Sequence, residues 1–151
     1  MKDRPTSAQL LSDQTVLAGL RRAFDESDVG GSHPIEHGGF LVRDSQTEAF
    51  MVVRLPSSES DSLAYPICAD GQFHGHEIVG TFHTHPNTGQ DWRQEPSPQD
   101  IRLSKEYPET MGSHQFVISR EKIYLINNDG LVTSCGGTAE LLRLASKETN
   151  S

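Results

Sequence analysis

The sequence predicts an α/β protein whose mixed, mostly antiparallel sheet is packed between helices. Three observations lead there. An amphipathic stretch lies near the N-terminus, a series of short β-rich runs is divided by polar turns, and a second helix start interrupts that series after residue 96.

Over residues 13–28, Val16, Leu17, Leu20, Ala23 and Phe24 recur at helical spacing, while Arg21, Arg22, Asp25 and Glu26 fill the other face. Ser12 and Asp13 are capping candidates, and the pattern breaks at Gly30-Gly31-Ser32-His33-Pro34. Residues 35–43 and 49–55 read as two strands joined by the polar turn Asp44-Ser45-Gln46-Thr47, which suits an antiparallel hairpin. The Ser-, Asp-, Gly- and Pro-rich run 56–75 reads as surface loop with one short strand at 65–68. Residues 77–85 form a strong strand pattern that stops at Pro86, and a polar loop over 87–96 follows it. Ser97-Pro98-Gln99-Asp100 then opens a helix to about residue 106, with proline at its first position. Residues 115–119 and 122–127 are further strands, and Asn128-Asp129-Gly130 is a tight turn leading to a strand at 131–134. Thr138 is the expected cap of a last helix with Leu141, Leu142 and Leu144 on its apolar side.

A chain of 151 residues fits one domain, with about residues 1–8 and 146–151 at its loose ends, and leaves room for a single active site. Its formal charge is −8, from 13 Lys+Arg against 21 Asp+Glu, which is the wrong sign for binding phosphate backbones, so nucleic acid is not an expected partner. No apolar run approaches the roughly 20 residues of a membrane span, and the first residues lack an apolar signal core. The expectation is therefore a soluble cytoplasmic protein without a membrane partner. Cys68 and Cys135 stand in no metal-type spacing and read as two reduced, inert thiols. Nothing in the sequence sets an oligomeric state.

The chemistry concentrates in His83-Thr84-His85-Pro86. Side chains alternate along a strand, so both imidazoles point the same way, about 7 Å apart along the backbone, at a strand end open to solvent. Asp100, in the first turn of the next helix, can bring a carboxylate to the same point. Two histidines and one carboxylate make a catalytic zinc set, whereas a structural zinc is closed by four protein ligands, commonly cysteines. Such a site needs a base, and Glu36, beside Gly38 and Gly39, is the candidate. Ser97, one helical turn before Asp100, can donate to a developing oxyanion.

Taken together, Glu36-His37-Gly38-Gly39, His83-Thr84-His85-Pro86 and Ser97-Pro98-Gln99-Asp100 resemble the signature of the JAMM (JAB/MPN+) zinc metalloproteases: a glutamate, His-Ser/Thr-His-Pro, then Ser-x-x-Asp. The order of elements follows that family across most of the chain, and the wording around the histidines is closest to its bacterial branch. The resemblance implies the MPN/JAB, cytidine-deaminase-like sandwich. It also implies one Zn2+ per chain on His83, His85 and Asp100, Glu36 as general acid/base and Ser97 as oxyanion stabiliser. Substrates implied are proteins or peptides: relatives remove ubiquitin or ubiquitin-like tails from lysines, process ubiquitin-like precursors, or occur as peptidase domains of toxin and defence systems. One departure stands out. Ten residues, 87–96, separate Pro86 from Ser97, more than the family usually has.

Each assignment has a plainer rival. Serine, proline and an acid at these positions are also simply a good helix start, and a carboxylate that caps at full strength is expected to ligate poorly. His33, His37 and His114 read as solvated or locally bonded; His74 and His76 repeat the His-x-His spacing without a following proline or carboxylate helix and read as a decoy at the cleft's margin. Glu48 is the rival base but lacks the Gly-Gly context. Trp92 reads as a substrate platform, with a loop anchor as the alternative. Gly38, Gly39 and Gly80 read as packing positions. For the whole protein, the alternative is a non-catalytic MPN-type interaction scaffold, against which all five site residues are present. A phosphoesterase or oxygenase would need a further histidine motif that is missing from the sequence.

Overall fold

The computed structural model describes residues 4–56, 65–85 and 94–145. It shows a mixed α/β fold with helices α1 (Ser7–Leu10), α2 (Gln14–Glu26), α3 (Pro98–Glu106), α4 (Pro108–Met111) and α5 (Thr138–Leu142). The strands are β1 (Gly38–Arg43), β2 (Phe50–Arg54), β3 (Gln72–Phe73), β4 (His76–Thr84), β5 (Gln115–Ile118), β6 (Lys122–Ile126) and β7 (Val132–Gly137). They form one sheet in the order β2-β1-β4-β5-β6-β7, with β3 paired to the start of β4. Every pairing is antiparallel except β4 with β5, the crossover that carries α3 and α4.

Helix α2 forms where the spacing requires it. Asp13 accepts from the Val16 amide (3.0 Å), and Val16, Leu17, Leu20 and Ala23 are buried. It stops at Glu26, short of the expected residue 28, because the buried Ser27 hydroxyl donates to the Ala23 carbonyl (2.7 Å) and Asp28 turns left-handed (φ 52°). Ahead of it, α1 is a single turn that the sequence reading left out; a capping box between Thr6 and Gln9 closes it and Leu10 is fully buried.

The alternation of the central strands divides the core into two layers. Leu41, Phe82, Phe116 and Ile118 pack with Leu10, Val16, Leu20 and Leu142 from the α1, α2 and α5 side. Phe40, Val42, Leu55 and Ile78 pack on the opposite face, under Tyr65, Cys68 and Phe73. That second face also carries α3, since Gln115, the neighbour of Phe116, donates to the Asp100 carbonyl (2.8 Å) and the Ser104 hydroxyl (2.6 Å). Helices thus cover both faces of the sheet. Gly39 and Gly80 are packing positions, as expected: an added Cβ would lie 1.9 Å from the Val53 carbonyl at Gly39 and 2.7 Å from the His114 carbonyl at Gly80.

Four expectations need correction, the first being the strand over 35–43, which begins only at Gly38. Residues 65–68 form no strand; the Cys68 amide instead donates to the Thr110 hydroxyl (2.8 Å), tying this segment to α4. The short strand lies later, at Gln72–Phe73, where the tight turn His74-Gly75 (φ 51° and 82°) folds it onto β4. Strand β7 runs on to Gly137, beyond residue 134. Thr138 is the first residue of α5 and not its cap, its hydroxyl being spent on the Ser119 carbonyl (2.8 Å). Both cysteines are free thiols, set against the two different core clusters. Among the described residues, no helix is long and apolar enough to cross a membrane.

Candidate metal centre

His83 and His85 sit at the end of β4, where the strand runs between β1 and β5. Register pairs Thr81 with Gln115 and His83 with Val117, so the face that holds Gln115 under α3 also receives both imidazoles. The strand bonding continues past Thr84, because the His85 amide donates to the Ile118 carbonyl (2.9 Å) and holds that residue in line. The rings of the two histidines lie 5.1 Å apart between centroids.

Asp100 reaches this point from the first turn of α3. Its Oδ1 lies 3.3 Å from His83 Nε2, and its Oδ2 lies 3.3 Å from His85 Nε2. One donor atom from each residue falls within a cluster 4.8 Å across, the only grouping of three metal-ligating side chains among the described residues. His83 is 3% exposed and Asp100 9%, so the cluster is largely shielded from water.

Local sequence explains how the carboxylate is aimed. Ser97 Oγ accepts from the Asp100 amide (3.1 Å) while Asp100 Oδ2 accepts from the Ser97 amide (2.8 Å), a reciprocal capping box with Pro98 at the first helical position. One carboxylate thus caps the helix and faces the histidines at once, since capping engages Oδ2 and leaves Oδ1 turned to His83. Gln115 fixes the same turn from beneath through the Asp100 carbonyl.

The electrostatics are those of a site prepared for positive charge. Burial alone would raise the Asp100 pKa, but His83, His85 and the Ser97 amide outweigh it and hold the carboxyl far below the usual carboxylate range. Burial opposes charge on His83, yet Asp100 and, more weakly, Glu36 pull its pKa above the ordinary value. Even so, His83 Nε2 makes no hydrogen bond, and neither do His83 Nδ1 or His85 Nδ1. A buried polar atom without a partner costs about 1–3 kcal/mol. A His83 Nε2 that faces a carboxylate oxygen at 3.3 Å without bonding to it, with His85 Nε2 beside the other oxygen, matches the demands of a cation, and the residues present fit one.

Glu36 contributes no atom to the cluster. Gly38 pairs with His83 across β1 and β4, and the Thr84 amide still donates to the His37 carbonyl (2.8 Å), so the continued register sets Glu36 alongside His85. Its charge is felt by both His83 and Tyr65. Glu48 lies on the opposite end of the β1–β2 hairpin, exposed and left-handed (φ 66°), away from the histidines. His74 and His76 are also removed from the cleft, at the start of β4, roughly 23 Å from His83 at strand rise. His114 packs against the Val79 carbonyl (3.2 Å), and Trp92 lies outside the described residues.

Two contributors escaped the sequence reading. Tyr65 sends its hydroxyl to the Phe82 carbonyl (2.7 Å), next to His83, and sets its ring edge-on against Phe40 at 5.7 Å. Burial, then the charges of Glu36 and Asp100, push its pKa well up, so the phenol stays protonated. No local pattern in the loop marks this residue. Gln115 carries a fainter signal, a polar residue opening the otherwise apolar run Gln115-Phe116-Val117-Ile118. No family model matches this chain, and no curated protein matches it.

Proposed function

We propose that the chain is a zinc metallopeptidase of JAMM type on an MPN/JAB, cytidine-deaminase-like sandwich, hydrolysing an amide or isopeptide bond in a protein or peptide. The reading rests on one observation above all: His83, His85 and Asp100 bring one donor atom each to a single buried point, with the charge of a second carboxylate, Glu36, reaching His83 from outside that cluster. His83, His85 and Asp100 would hold one Zn2+, a set of borderline and hard donors that zinc accepts readily. When bound, the ion supplies Lewis acidity at that point.

The protein's own residues divide the remaining work. Glu36 takes the proton from the attacking water and hands it to the leaving nitrogen, the two halves of general acid/base catalysis. Ser97 Oγ accepts from the Asp100 amide through one lone pair and keeps its own proton to donate toward the oxyanion that develops on the scissile carbonyl. The Asp100 carboxylate, ionised across the working pH range, keeps the ligand set charged. Ubiquitin-like tails and precursors are the substrate class to test first, in a cytoplasmic setting, and no nucleic acid or membrane takes part.

Cleavage of a panel of ubiquitin-like fusions by wild type and Glu36→Gln tests the reading. The variant should retain its zinc and lose turnover by a factor on the order of 10²–10⁴. Equal turnover in both would remove Glu36 from the mechanism. A wild type that binds zinc and cleaves none of the panel would point to the interaction scaffold instead.

A further inference from the structure

We infer that Thr84, the residue between the two histidines, is a positioning residue that works with Ser27 to set where Glu36 stands relative to the metal centre. The inference rests on the metallopeptidase reading for the importance of Glu36, and on hydrogen bonds alone for the device itself.

Strand alternation sends His83 and His85 to one face of β4 and Thr84 to the other, where it is fully buried, as is Ser27. There Thr84 Oγ1 accepts from the His37 amide (3.0 Å) and lies 2.7 Å from Ser27 Oγ. Ser27 Oγ donates in turn to the Ala23 carbonyl in the last turn of α2 (2.7 Å). Each hydroxyl has one proton to give: the His37 N–H donates to Thr84 Oγ1, the Thr84 proton has both the Ser27 oxygen (2.7 Å) and the His37 carbonyl (3.3 Å) as acceptors, and either hydroxyl can donate in the Thr84–Ser27 contact. On the other side of Glu36, the Ile35 amide donates to the Ser27 carbonyl (3.0 Å). The segment 35–37 is pinned at both flanks of Glu36, and both pins run to Ser27 or Thr84.

A strand end needs no buried hydroxyl for packing; valine would fill the same volume. The hydroxyl is required because β1 begins only at Gly38, so residues 35–37 lack full ladder bonding to hold them. A general base must sit within a fraction of an ångström of its productive place, and an error of about 1 Å costs on the order of 10²-fold in rate. Threonine between the ligands thus ties the base to the same strand that carries the imidazoles, from the face they do not use.

The test compares Thr84→Val, Thr84→Ser and Ser27→Ala with wild type. Amide hydrogen exchange over residues 35–38, followed in both metal-free and zinc-loaded full-length protein, should accelerate about tenfold in Thr84→Val, the equivalent of one lost buried hydrogen bond. Ser27→Ala should show the same direction, and Thr84→Ser should restore wild-type protection. Zinc affinity should stay within about twofold of wild type in all three, because the imidazoles lie on the far face, while turnover of the zinc-loaded enzyme falls about 10²-fold in Thr84→Val and recovers in Thr84→Ser. Unchanged exchange at His37 in Thr84→Val would overturn the inference, as would loss of zinc in step with turnover, which would make Thr84 a support of the strand alone. A wild type without peptidase activity would sink the metallopeptidase reading and leave the exchange arms to decide the positioning device by themselves.

Discussion

Ser97→Gly should lower turnover far more than stability, because in the proposed mechanism the Ser97 hydroxyl has two roles that a glycine cap separates. In the capping box the hydroxyl oxygen accepts from the Asp100 amide at 3.1 Å, and the Ser97 backbone amide, which glycine and alanine retain, donates to Asp100 Oδ2 at 2.8 Å. Loss of the side-chain half to alanine costs about 1 kcal/mol, whereas glycine, a tolerated cap, costs only about a few tenths. For a chain of this length, about 1 kcal/mol corresponds to roughly 2–4 °C in Tm, so Ser97→Ala should melt measurably earlier and Ser97→Gly nearly with wild type. Asp100 stays aimed in both, through the Ser97 amide and through Gln115 beneath it, so zinc should be retained. The proton offered to the oxyanion is absent from both variants, and removal of one such donor costs about 10²–10³ in kcat. Ser97→Thr keeps both roles and should behave as wild type. Calorimetry beside steady-state kinetics on a ubiquitin-like fusion reads the two quantities together. If Ser97→Gly turned over at the wild-type rate, the hydroxyl would be a helix cap and nothing more.

Two further outcomes follow from Gln115 and His114. Gln115→Leu removes the donors to the Asp100 carbonyl and the Ser104 hydroxyl; unfolding should show a loss of about 1–3 kcal/mol, and competition with a chelator should show zinc affinity down by about 10–100-fold. His114 has its pKa held below the ordinary 6.5, chiefly because burial disfavours the charged ring, so the unfolded chain binds the proton first as pH falls. Its contribution is intact above pH 6.5 and is lost as pH drops from there toward the folded value. Thermal melts between about pH 7.5 and about pH 5.5 should therefore show a smaller acid-side loss in His114→Gln than in wild type.

Much of the candidate site's side-chain grouping was legible because its signals are local. His83, Thr84 and His85 share a strand whose alternation is set by its bonding to β1 and β5, and Ser97-Pro98-Gln99-Asp100 encodes its own helix start. What the residues alone did not reveal is that Asp100 caps and faces the histidines at once, since that depends on how α3 lies over the sheet. Tyr65 was illegible for the same kind of reason: it stands in a loop without periodicity and gains its meaning only from the Phe82 carbonyl it meets across the fold. The short elements β3, α1 and α4 went unseen because two to four residues carry too little pattern, and their placement comes from tertiary contacts such as Cys68 with Thr110. Thr138 was misread because its favourable capping chemistry is outbid by a buried carbonyl, that of Ser119.

Zinc titration into metal-depleted protein, followed by calorimetry for wild type, His83→Ala and Asp100→Ala, tests the centre most directly. The wild type should bind one equivalent, and each variant should lose most of that affinity while keeping the folded circular-dichroism spectrum. A wild type that binds no zinc, or variants that bind it as tightly as wild type, would contradict a metal centre built from His83, His85 and Asp100.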